Sequence, residues 1–186
     1  MNRYFLIAGV LSVLLISAFG ITQYVLVDTE QELIGPPIET YEESIDINQA
    51  HCLSTNIYHE ARGESYAGKV AVANVTMNRV KSSKFPNTIC EVVYQSQMRE
   101  NWKGEEVPKR NKCQFSWYCD GKSDDVHDTT EWALAQEIAY KIINDRKHRG
   151  ITEGSTHYHA TYVSPKWSRE LTTVGRIGHH IFYRWD

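Results

Sequence analysis

The chain has 186 residues, enough for one medium-sized domain and an appendage, and its 41% hydrophobic and 11% aromatic residues are ordinary for a globular protein. The net charge of −3 is uneven, because residues 1–43 hold one cation and six anions while the remainder holds 19 cations and 17 anions. The remainder is only mildly basic and has no block of Lys and Arg, so the charge pattern excludes a typical nucleic-acid-binding surface.

Residues 1–27 are predicted to form a transmembrane signal-anchor. The stretch 4–27 has no charged residue and is long enough to span a bilayer. Because Arg3 precedes it and acidic residues follow it, the rest of the chain is expected outside the cytoplasm. A cleaved signal peptide is the alternative, and either segment exports the domain. Residues 28–45 are acidic, contain Gly35-Pro36-Pro37 and are predicted to be a solvated tether.

Two helices are predicted at the start of the folded domain. Asp46 or Asn48 caps the first helix, which runs to about Ala61, and Ser65 caps the second. The second helix carries apolar residues at alternating spacings of four and three, which predicts a buried stripe of Tyr66, Val70, Ala73, Met77 and Val80. A short third helix is expected over residues 88–95.

The second half of the domain changes from loop to helix to strand. Residues 96–128 are polar and are predicted to form a long irregular loop. Asp128-Thr129-Thr130-Glu131 is a capping box that opens another helix. Residues 156–163 and 179–185 alternate and are rich in β-forming residues, which predicts two or three antiparallel strands. Helices first and strands last make residues 46–186 an α+β domain.

The four cysteines are Cys52, Cys90, Cys113 and Cys119, and no Cys-x-x-Cys pair occurs among them. An even number of cysteines in an exported chain fits one or two disulfides formed in an oxidising compartment. Cys113 and Cys119 suit a staple within the predicted loop. Three full pairings are possible, and the sequence leaves the choice among them open.

Glu60 is the strongest single candidate for chemistry. It lies on the same stripe as Leu53 and Ile57 of the first predicted helix, and Gly63 follows near the end of that helix. A carboxyl group on the core side and at a helix C-terminus has a raised pKa, which suits a general acid. The alternative is a structural glutamate that pairs with Arg62 or Lys69.

Two histidines on one predicted strand support a rival hypothesis. His157 and His159 point to the same side of that strand, so they could bind zinc with His59, His180 or Glu60 as a third ligand. The zinc-protease signature His-Glu-x-x-His does not occur. The alternative is that these are surface or hydrogen-bonded histidines.

Separated blocks of the chain together resemble the spore cortex-lytic cell-wall hydrolases, the SleB-like family. The blocks occur in order over about residues 50–185. They are Ile57-Tyr58-His59-Glu60-Ala61-Arg62-Gly63-Glu64, Val70-Ala71-Val72-Ala73-Asn74, Asn78-Arg79-Val80, Phe85-Pro86-Asn87-Thr88-Ile89-Cys90, Val92-Val93-Tyr94-Gln95, Gln114-Phe115-Ser116-Trp117, Thr156-His157-Tyr158-His159-Ala160, Tyr162-Val163-Ser164-Pro165 and Arg176-Ile177-Gly178. The chain departs from the family at His59, where glycine is common, and in a long insert over residues 96–112.

The resemblance implies a peptidoglycan glycan-strand hydrolase. Its expected fold is a lysozyme-like, lytic-transglycosylase-related helical domain with a small C-terminal antiparallel sheet. The resemblance also implies that Glu60 is the catalytic acid; the alternative is Glu64, which otherwise stabilises the N-terminus of the following helix. The residues expected to contact the sugar are Gln114, Phe115, Ser116, Tyr158, His159 and Tyr162.

The resemblance favours lytic transglycosylation as the reaction. Ordinary glycoside hydrolysis needs a second carboxylate, which the sequence does not clearly show, and a lytic transglycosylase does without it. Glu60 would protonate the bond between N-acetylmuramic acid and N-acetylglucosamine, and the sugar's own C6 hydroxyl would form a 1,6-anhydro product. No metal or organic cofactor is expected. We expect a monomer that binds peptidoglycan and the membrane, not nucleic acid, with its catalytic domain on the periplasmic or cell-wall side.

Two other classes of function stay open from the sequence. One is a zinc-dependent amidase or peptidase that acts on the stem peptide, and the other is a non-catalytic wall-binding protein. The biological setting is equally open between a phage endolysin and a bacterial wall-remodelling enzyme.

Overall fold

A computed structural model describes residues 46–186, which belong to the compact unit Glu43–Asp186. The predicted anchor over residues 1–27 and the predicted tether over residues 28–45 lie outside the described residues. Within the described part, no helix combines the length and the apolar character needed to cross a membrane.

The described chain contains four α-helices, five β-strands and two short 3-10 helices. The helices are α1 (Ile47–Ala61), α2 (Tyr66–Lys81), α3 (Ile89–Val93) and α4 (Thr129–Ile143). The strands are β1 (Ser96–Glu100), β2 (Glu106–Cys113), β3 (His157–Ala160), β4 (Thr172–Ile177) and β5 (His180–Arg184). The 3-10 helices are Ser116–Cys119 and Lys166–Arg169.

The predicted helix caps are confirmed. Asp46 caps α1, because its carboxylate accepts from the backbone N–H groups of Asn48 and Gln49. Ser65 caps α2 and accepts from Gly68 N. Asp128 caps α4 and accepts from the two N–H groups that follow Thr129. Each cap satisfies donors that a helix N-terminus otherwise leaves without partners.

Helix α1 lies at the centre of the helical core and packs against α2, α3 and α4. Its side chains Leu53, Ile57 and Tyr58 are fully buried. Helix α2 is enclosed more completely than a single stripe predicts, since every residue from 68 to 76 is buried. Tyr66 departs from the predicted stripe: it is 38% exposed, because it opens the helix at the surface and packs edge-on against His148.

Strands β3, β5 and β4 form the predicted C-terminal antiparallel sheet, in that spatial order. The prediction of helices followed by a small sheet is therefore confirmed. The prediction of an irregular loop over residues 96–128 is wrong in its first half, because β1 and β2 pair as an antiparallel hairpin. The hairpin was missed because its strands are mostly exposed and charged, so they lack the apolar alternation of a half-buried strand.

Two disulfides join the cysteines of the described chain. Cys52–Cys90 links α1 to α3 across 38 positions of sequence, so it closes a long loop of the unfolded chain. Cys113–Cys119 links the end of β2 to the 3-10 helix and closes a loop of separation 6. The second bond is the staple that the sequence suggested, although the rest of the pairing had been left open.

We predict that His157 makes the stability of the domain depend on pH. Burial, with Arg79 and Lys84 nearby, lowers the pKa of His157 from 6.5 to about 4. The folded chain therefore binds fewer protons than the unfolded chain between these values. The stabilisation is complete above pH 6.5 and is lost as the pH falls toward 4.

The measurement is Tm against pH for His157→Gln, which is expected to show a shallower fall on acidification. Some dependence of Tm on pH will remain in His157→Gln, since burial also lowers the pKa of His59 and His180. The exposed His127 provides the matched control, His127→Gln. An unchanged slope in His157→Gln would contradict the prediction.

Candidate active site

Glu60 occupies the last turn of α1, and it faces the C-terminal sheet. The hydroxyl of Tyr158 in β3 donates a hydrogen bond of 2.8 Å to Glu60 Oε2. Burial raises the pKa of Glu60, although the Tyr158 hydrogen bond and the charge of Arg79 oppose that rise. Glu60 as a residue is largely but not completely covered, so a desolvated carboxyl group stands on a side chain that keeps some exposure to solvent. This combination suits a general acid.

Tyr158 is held in place by aromatic neighbours from β5. Its ring packs edge-on against His180 at 4.9 Å and lies tilted against Phe182 at 5.7 Å. Burial raises the pKa of Tyr158 well above its usual value, and the neighbouring Glu60 raises it further. Tyr158 therefore stays protonated, and its O–H remains a donor to the carboxyl group.

Arg79 brings a buried positive charge from α2 toward Glu60. Its side chain is only 5% exposed, and its guanidinium lies 5.3 Å from the ring centre of Phe85 and 4.8 Å from that of Phe115. Its Nε donates to the backbone oxygen of Thr156 at 2.8 Å. Since Thr156 directly precedes β3, this bond ties α2 to the strand that carries the tyrosine.

A second set of contacts supports the helix that carries Glu60. Asn56, one turn earlier in α1, accepts from the indole N–H of Trp117 at 3.1 Å and donates to Thr76 Oγ1 at 3.1 Å. The ring of His59 stacks on Trp117 at 4.6 Å. Burial lowers the pKa of His59, opposed chiefly by Asp124, so the imidazole favours its neutral form. These contacts hold α1, α2 and the stapled loop together behind the site.

Glu64 lies in a separate cluster at the turn between β4 and β5. Its side chain is 8% exposed, and its two oxygens accept from the backbone N–H of His179 at 3.2 Å. The imidazoles of His179 and His180 lie 3.1 and 3.7 Å from Glu64 Oε1. Because His180 packs on Tyr158, Glu64 is connected to Glu60 only through intervening side chains.

Glu60 does not form the structural ion pair with Arg62 or Lys69 that was the alternative to a catalytic role. The ammonium group of Lys69 forms a salt bridge of 3.0 Å with Glu131 and donates to the backbone oxygens of Arg62 and Glu64. The guanidinium of Arg62 lies against the ring and hydroxyl of Tyr58. Neither cation pairs with Glu60. Lys69 instead closes the C-terminal end of α1.

The other residues expected to contact sugar divide into three groups. Phe115 is 2% exposed and packs on Arg79, so it supports the site from below. Gln114 and Ser116, on either side of it, are exposed. His159 lies on the opposite face of β3 from Tyr158 and is hydrogen-bonded to the hydroxyl of Tyr183 at 2.8 Å.

Tyr162, the last of the expected sugar contacts, lies just beyond the end of β3. It is 85% exposed and stands apart from the Glu60 cluster. The structure therefore brings Glu60 and Tyr158 into direct contact, with Phe115 reaching them through Arg79. It keeps His159 and Tyr162 away from that contact.

The histidines do not assemble into a metal-binding group. Among residues 46–186, no cluster of three His, Cys, Asp or Glu side chains is arranged to hold a metal ion. His157 and His159 do share a face, as the strand period predicted, but that face is covered by aromatic rings. Trp167 lies 5.4 and 5.7 Å from the two imidazoles.

A polar groove of about 420 Å³ lies at the base of the β1–β2 hairpin. Its lining is dominated by amide and hydroxyl side chains and contains no carboxylate: Gln95, Ser96, Gln97, Asn111, Lys112, Cys113 and Gln114. The side-chain oxygen of Gln95 is buried and has no hydrogen-bond partner. Gln114 of the groove directly precedes Phe115, and Phe115 packs on Arg79 beside Glu60. A cavity of similar size, bordered by Gln49, Met77 and Arg149, includes no residue of the Glu60 cluster.

Two site residues were missed by the sequence reasoning about individual side chains. Arg79 near the end of α2 looked like an ordinary basic residue at a helix C-terminus. Asn56 stands one turn before Glu60 on the helix face that is otherwise apolar, and this polar exception was the available signal. Nothing in the sequence indicated that Arg79 would lie between two phenylalanine rings.

A family model described as cell wall hydrolase matches residues 63–183. The match begins just after Glu60 and includes Tyr158. The spore cortex-lytic enzyme of Bacillus cereus is 29% identical over 140 residues, which are 73% of this chain and 44% of that protein. The chain thus spans less than half the length of this relative.

Two solved structures are similar to the described domain. The catalytic domain of the Bacillus cereus SleB protein has a TM-score of 0.53 at 25% identity, covering 74% of this chain and 91% of that one. The catalytic domain of the germination-specific lytic transglycosylase SleB from Bacillus anthracis has a TM-score of 0.55 at 27% identity, covering 74% and 94%. The fold is therefore that of the SleB catalytic domain, with helices and small antiparallel sheets.

We predict that Gly178→Ala destabilises the domain by roughly 2–4 kcal/mol. Gly178 has φ +59, and an added Cβ would overlap Glu64 Oε2. Both the backbone strain and the clash therefore oppose the substitution. Urea denaturation measures the change. Gly175→Ala in the preceding strand β4 is the matched control, because nothing lies within 4 Å of its Cβ position; a similar loss in both variants would contradict the argument.

Proposed function

The chain belongs to the cell wall hydrolase family, and from this membership we propose that it cleaves peptidoglycan glycan strands between N-acetylmuramic acid and N-acetylglucosamine. The proposed reaction is lytic transglycosylation, with Glu60 as general acid and then general base. One observation carries the assignment of the acid: a desolvated carboxyl group, partly accessible, bonded to the hydroxyl of Tyr158 at 2.8 Å. The similar Bacillus anthracis domain, described as a lytic transglycosylase, supports the reaction type.

The electrostatic setting of Glu60 favours a reaction with a single carboxylate. Ordinary glycosidases need a second carboxylate about 5–5.5 Å or 6.5–9.5 Å away as nucleophile or base. The groups that shift the pKa of Glu60 within the described chain are Tyr158 and Arg79, and neither is a carboxylate. Glu137, an acid considered from the sequence, is exposed and paired with Lys141 on α4.

The mechanism follows from these groups. Glu60 begins protonated, because burial favours the neutral acid, and it gives its proton to the glycosidic oxygen as that bond breaks. The C6 hydroxyl of the muramic acid then attacks the same sugar's C1. Glu60, now anionic, accepts the hydroxyl proton, and the 1,6-anhydro ring closes. Tyr158 donates to the carboxyl oxygen throughout and fixes its orientation.

Contacts to the rest of the glycan strand are proposed for the groove at the base of the β1–β2 hairpin. Gln114 is exposed there, beside Gln95, Gln97 and Asn111. Amide side chains both donate and accept hydrogen bonds, so they match the acetamido and hydroxyl groups of amino sugars. Ser116, exposed on the other side of Phe115, is proposed as a further hydroxyl contact.

We also propose that the helices have a lysozyme-like, transglycosylase-related arrangement. For the cellular setting, we propose a membrane anchor over residues 1–27 and a tether over residues 28–45. The absence of charge between residues 4 and 27 supports the anchor. The two disulfides support an oxidising compartment, and hence action on the wall side of the membrane. We also propose that the protein acts as a monomer. A phage endolysin and a bacterial wall-remodelling enzyme both fit.

We predict that Glu60→Gln abolishes glycan cleavage, because glutamine cannot release a proton. The loss expected for removing a general acid is about 10²–10⁴-fold. The measurement is mass spectrometry of the soluble products from purified peptidoglycan treated with the full chain. Anhydromuropeptides are expected from the wild type and not from Glu60→Gln.

Glu64→Gln is the matched control, because it changes the other glutamate of the same motif. It should retain the anhydro product, with lower stability from the weakened contact to His179. If the products are reducing-end muropeptides, Glu60 remains the assigned acid, but the reaction is hydrolysis and not transglycosylation. Cleavage by Glu60→Gln, or stem peptides released only without chelator, would reject the assignment of Glu60.

We predict that Gln97→Ala and Gln114→Ala each raise KM roughly 2- to 10-fold, the worth of one hydrogen bond, with little change in kcat. Initial rates on solubilised glycan strands measure both constants. Gln136→Ala, an exposed glutamine on α4 outside the groove, is the control and should match the wild type. An unchanged KM in both groove variants would remove the groove from the binding surface.

A further inference from the structure

Arg79 carries a charge whose burial the packing of the domain leaves unexplained. The side chain is 5% exposed, and an arginine stays protonated even in such a setting. Two aromatic faces, those of Phe85 and Phe115, cover its guanidinium. These contacts stabilise a cation, but they do not replace an anionic partner.

The hydrogen bonds of this guanidinium are incomplete. Nε donates to Thr156 O, whereas Nη1 is buried and has no hydrogen-bond partner. Within residues 46–186 Arg79 also forms no salt bridge. Leaving a buried donor of a charged group unpaired costs more than leaving a neutral one, so such a group calls for an explanation.

Glu60 is the carboxyl group whose charge acts on Arg79. The two charges oppose the effect of burial on each other. Burial raises the pKa of Glu60 and Arg79 opposes that rise, while burial lowers the pKa of Arg79 and the neighbouring Tyr158 and Glu60 oppose that fall. The other groups around the carboxyl are Tyr158 on β3 and His59 on α1, with His180 of β5 behind the tyrosine. Burial lowers the pKa of His59 and His180, which favours their neutral forms. Among the described residues, the cation that acts on the Glu60 carboxyl group is thus Arg79.

We propose that Arg79 is a positioning residue that stabilises the anionic form of Glu60 in the second half of the reaction. The inference rests on the proposed function. Glu60 alternates between a neutral acid and an anionic base, so an apolar setting alone would serve the first step and hinder the second. A fixed cation close by, with an unpaired N–H, stabilises the anionic form of Glu60 and so serves the second step without having to move. The free donor is available to the carboxylate or to the hydroxyl that it deprotonates.

The test is a carbon-13 NMR titration of Glu60 in the full chain, assigned with Glu60→Gln, for wild type, Arg79→Met and Arg79→Lys. Methionine keeps much of the length and apolar contact of the side chain and removes its charge. The titration midpoint of Glu60 is expected to move upward in Arg79→Met, with a smaller upward shift in Arg79→Lys. Arg62→Met is the control for losing a nearby surface cation and should leave the midpoint unchanged.

Kinetics provides the second readout. kcat is expected to fall about 100-fold in Arg79→Met, on the scale of losing one electrostatic stabiliser, and to recover partly in Arg79→Lys. The alkaline limb of the kcat–pH profile should move in the same direction as the NMR midpoint. A purely structural role for Arg79 would lower the amount of folded protein without displacing that limb.

The outcomes separate this inference from the proposed function. If Arg79→Met folds and the Glu60 midpoint stays at the wild-type value, the inference is wrong, whatever the products are. If Arg79→Met does not fold, the uncharged Arg79→Gln decides by the same comparison, and a wild-type titration midpoint and kcat in that variant overturn the proposal. If the wild type instead gives reducing-end products, transglycosylation fails, while an upward shift still establishes the Arg79–Glu60 coupling.

Discussion

A hydrogen bond between the Tyr158 hydroxyl and the Glu60 carboxyl joins two parts of the domain that are far apart in sequence. One partner ends the central helix of the core, and the other stands in the first strand of the C-terminal sheet. The carboxyl group tolerates its desolvated position because that hydroxyl satisfies it. Most of the remaining contacts near the site hold one or other of these two side chains in place.

Polar residues inside the core connect the elements more specifically than apolar packing does. Asn56 joins α1 to α2 and to Trp117, and Asn74 of α2 donates to His148 O and accepts from Gly150 N. Arg79 joins α2 to the residue before β3. A hydrogen bond is directional, so each of these contacts fixes orientation as well as proximity. The apolar core excludes water, and the polar contacts set where Glu60 points.

Local chemistry explains what could be foreseen from the sequence. The caps at Asp46, Ser65 and Asp128 depend on residues a few positions apart, and the period of the C-terminal strands is visible in a short window. The β1–β2 hairpin escaped prediction because its stability depends on pairing between charged strands, one of them with Pro108, and on a disulfide at its base. No short window of sequence contains that information.

The candidate site was likewise predictable where it depends on a local motif and not where it depends on contacts between distant residues. Glu60 was identifiable because its motif is local and matches a known family, whereas its contact with Tyr158 spans 98 positions. The expected grouping of Tyr158 with His159 ran against the strand period, since neighbours along a strand face opposite sides. The surroundings of Arg79 come from α2, from the turn after it and from the stapled loop. Such an arrangement is a property of the fold and not of any segment.

Among residues 46–186, β1 and β2 pair with each other and with no further strand, and such a two-stranded ribbon is marginal by itself. The Cys113–Cys119 bond and the hydrogen bond from Gln114 N to Gln95 O hold its base, while Trp102 near its tip is 89% exposed. The hairpin therefore opens at a lower free energy than the helical core, from its tip toward its base. A glycan bound across the groove would favour the closed, paired form of the hairpin. The amide hydrogens of both strands would therefore exchange more slowly when substrate is present.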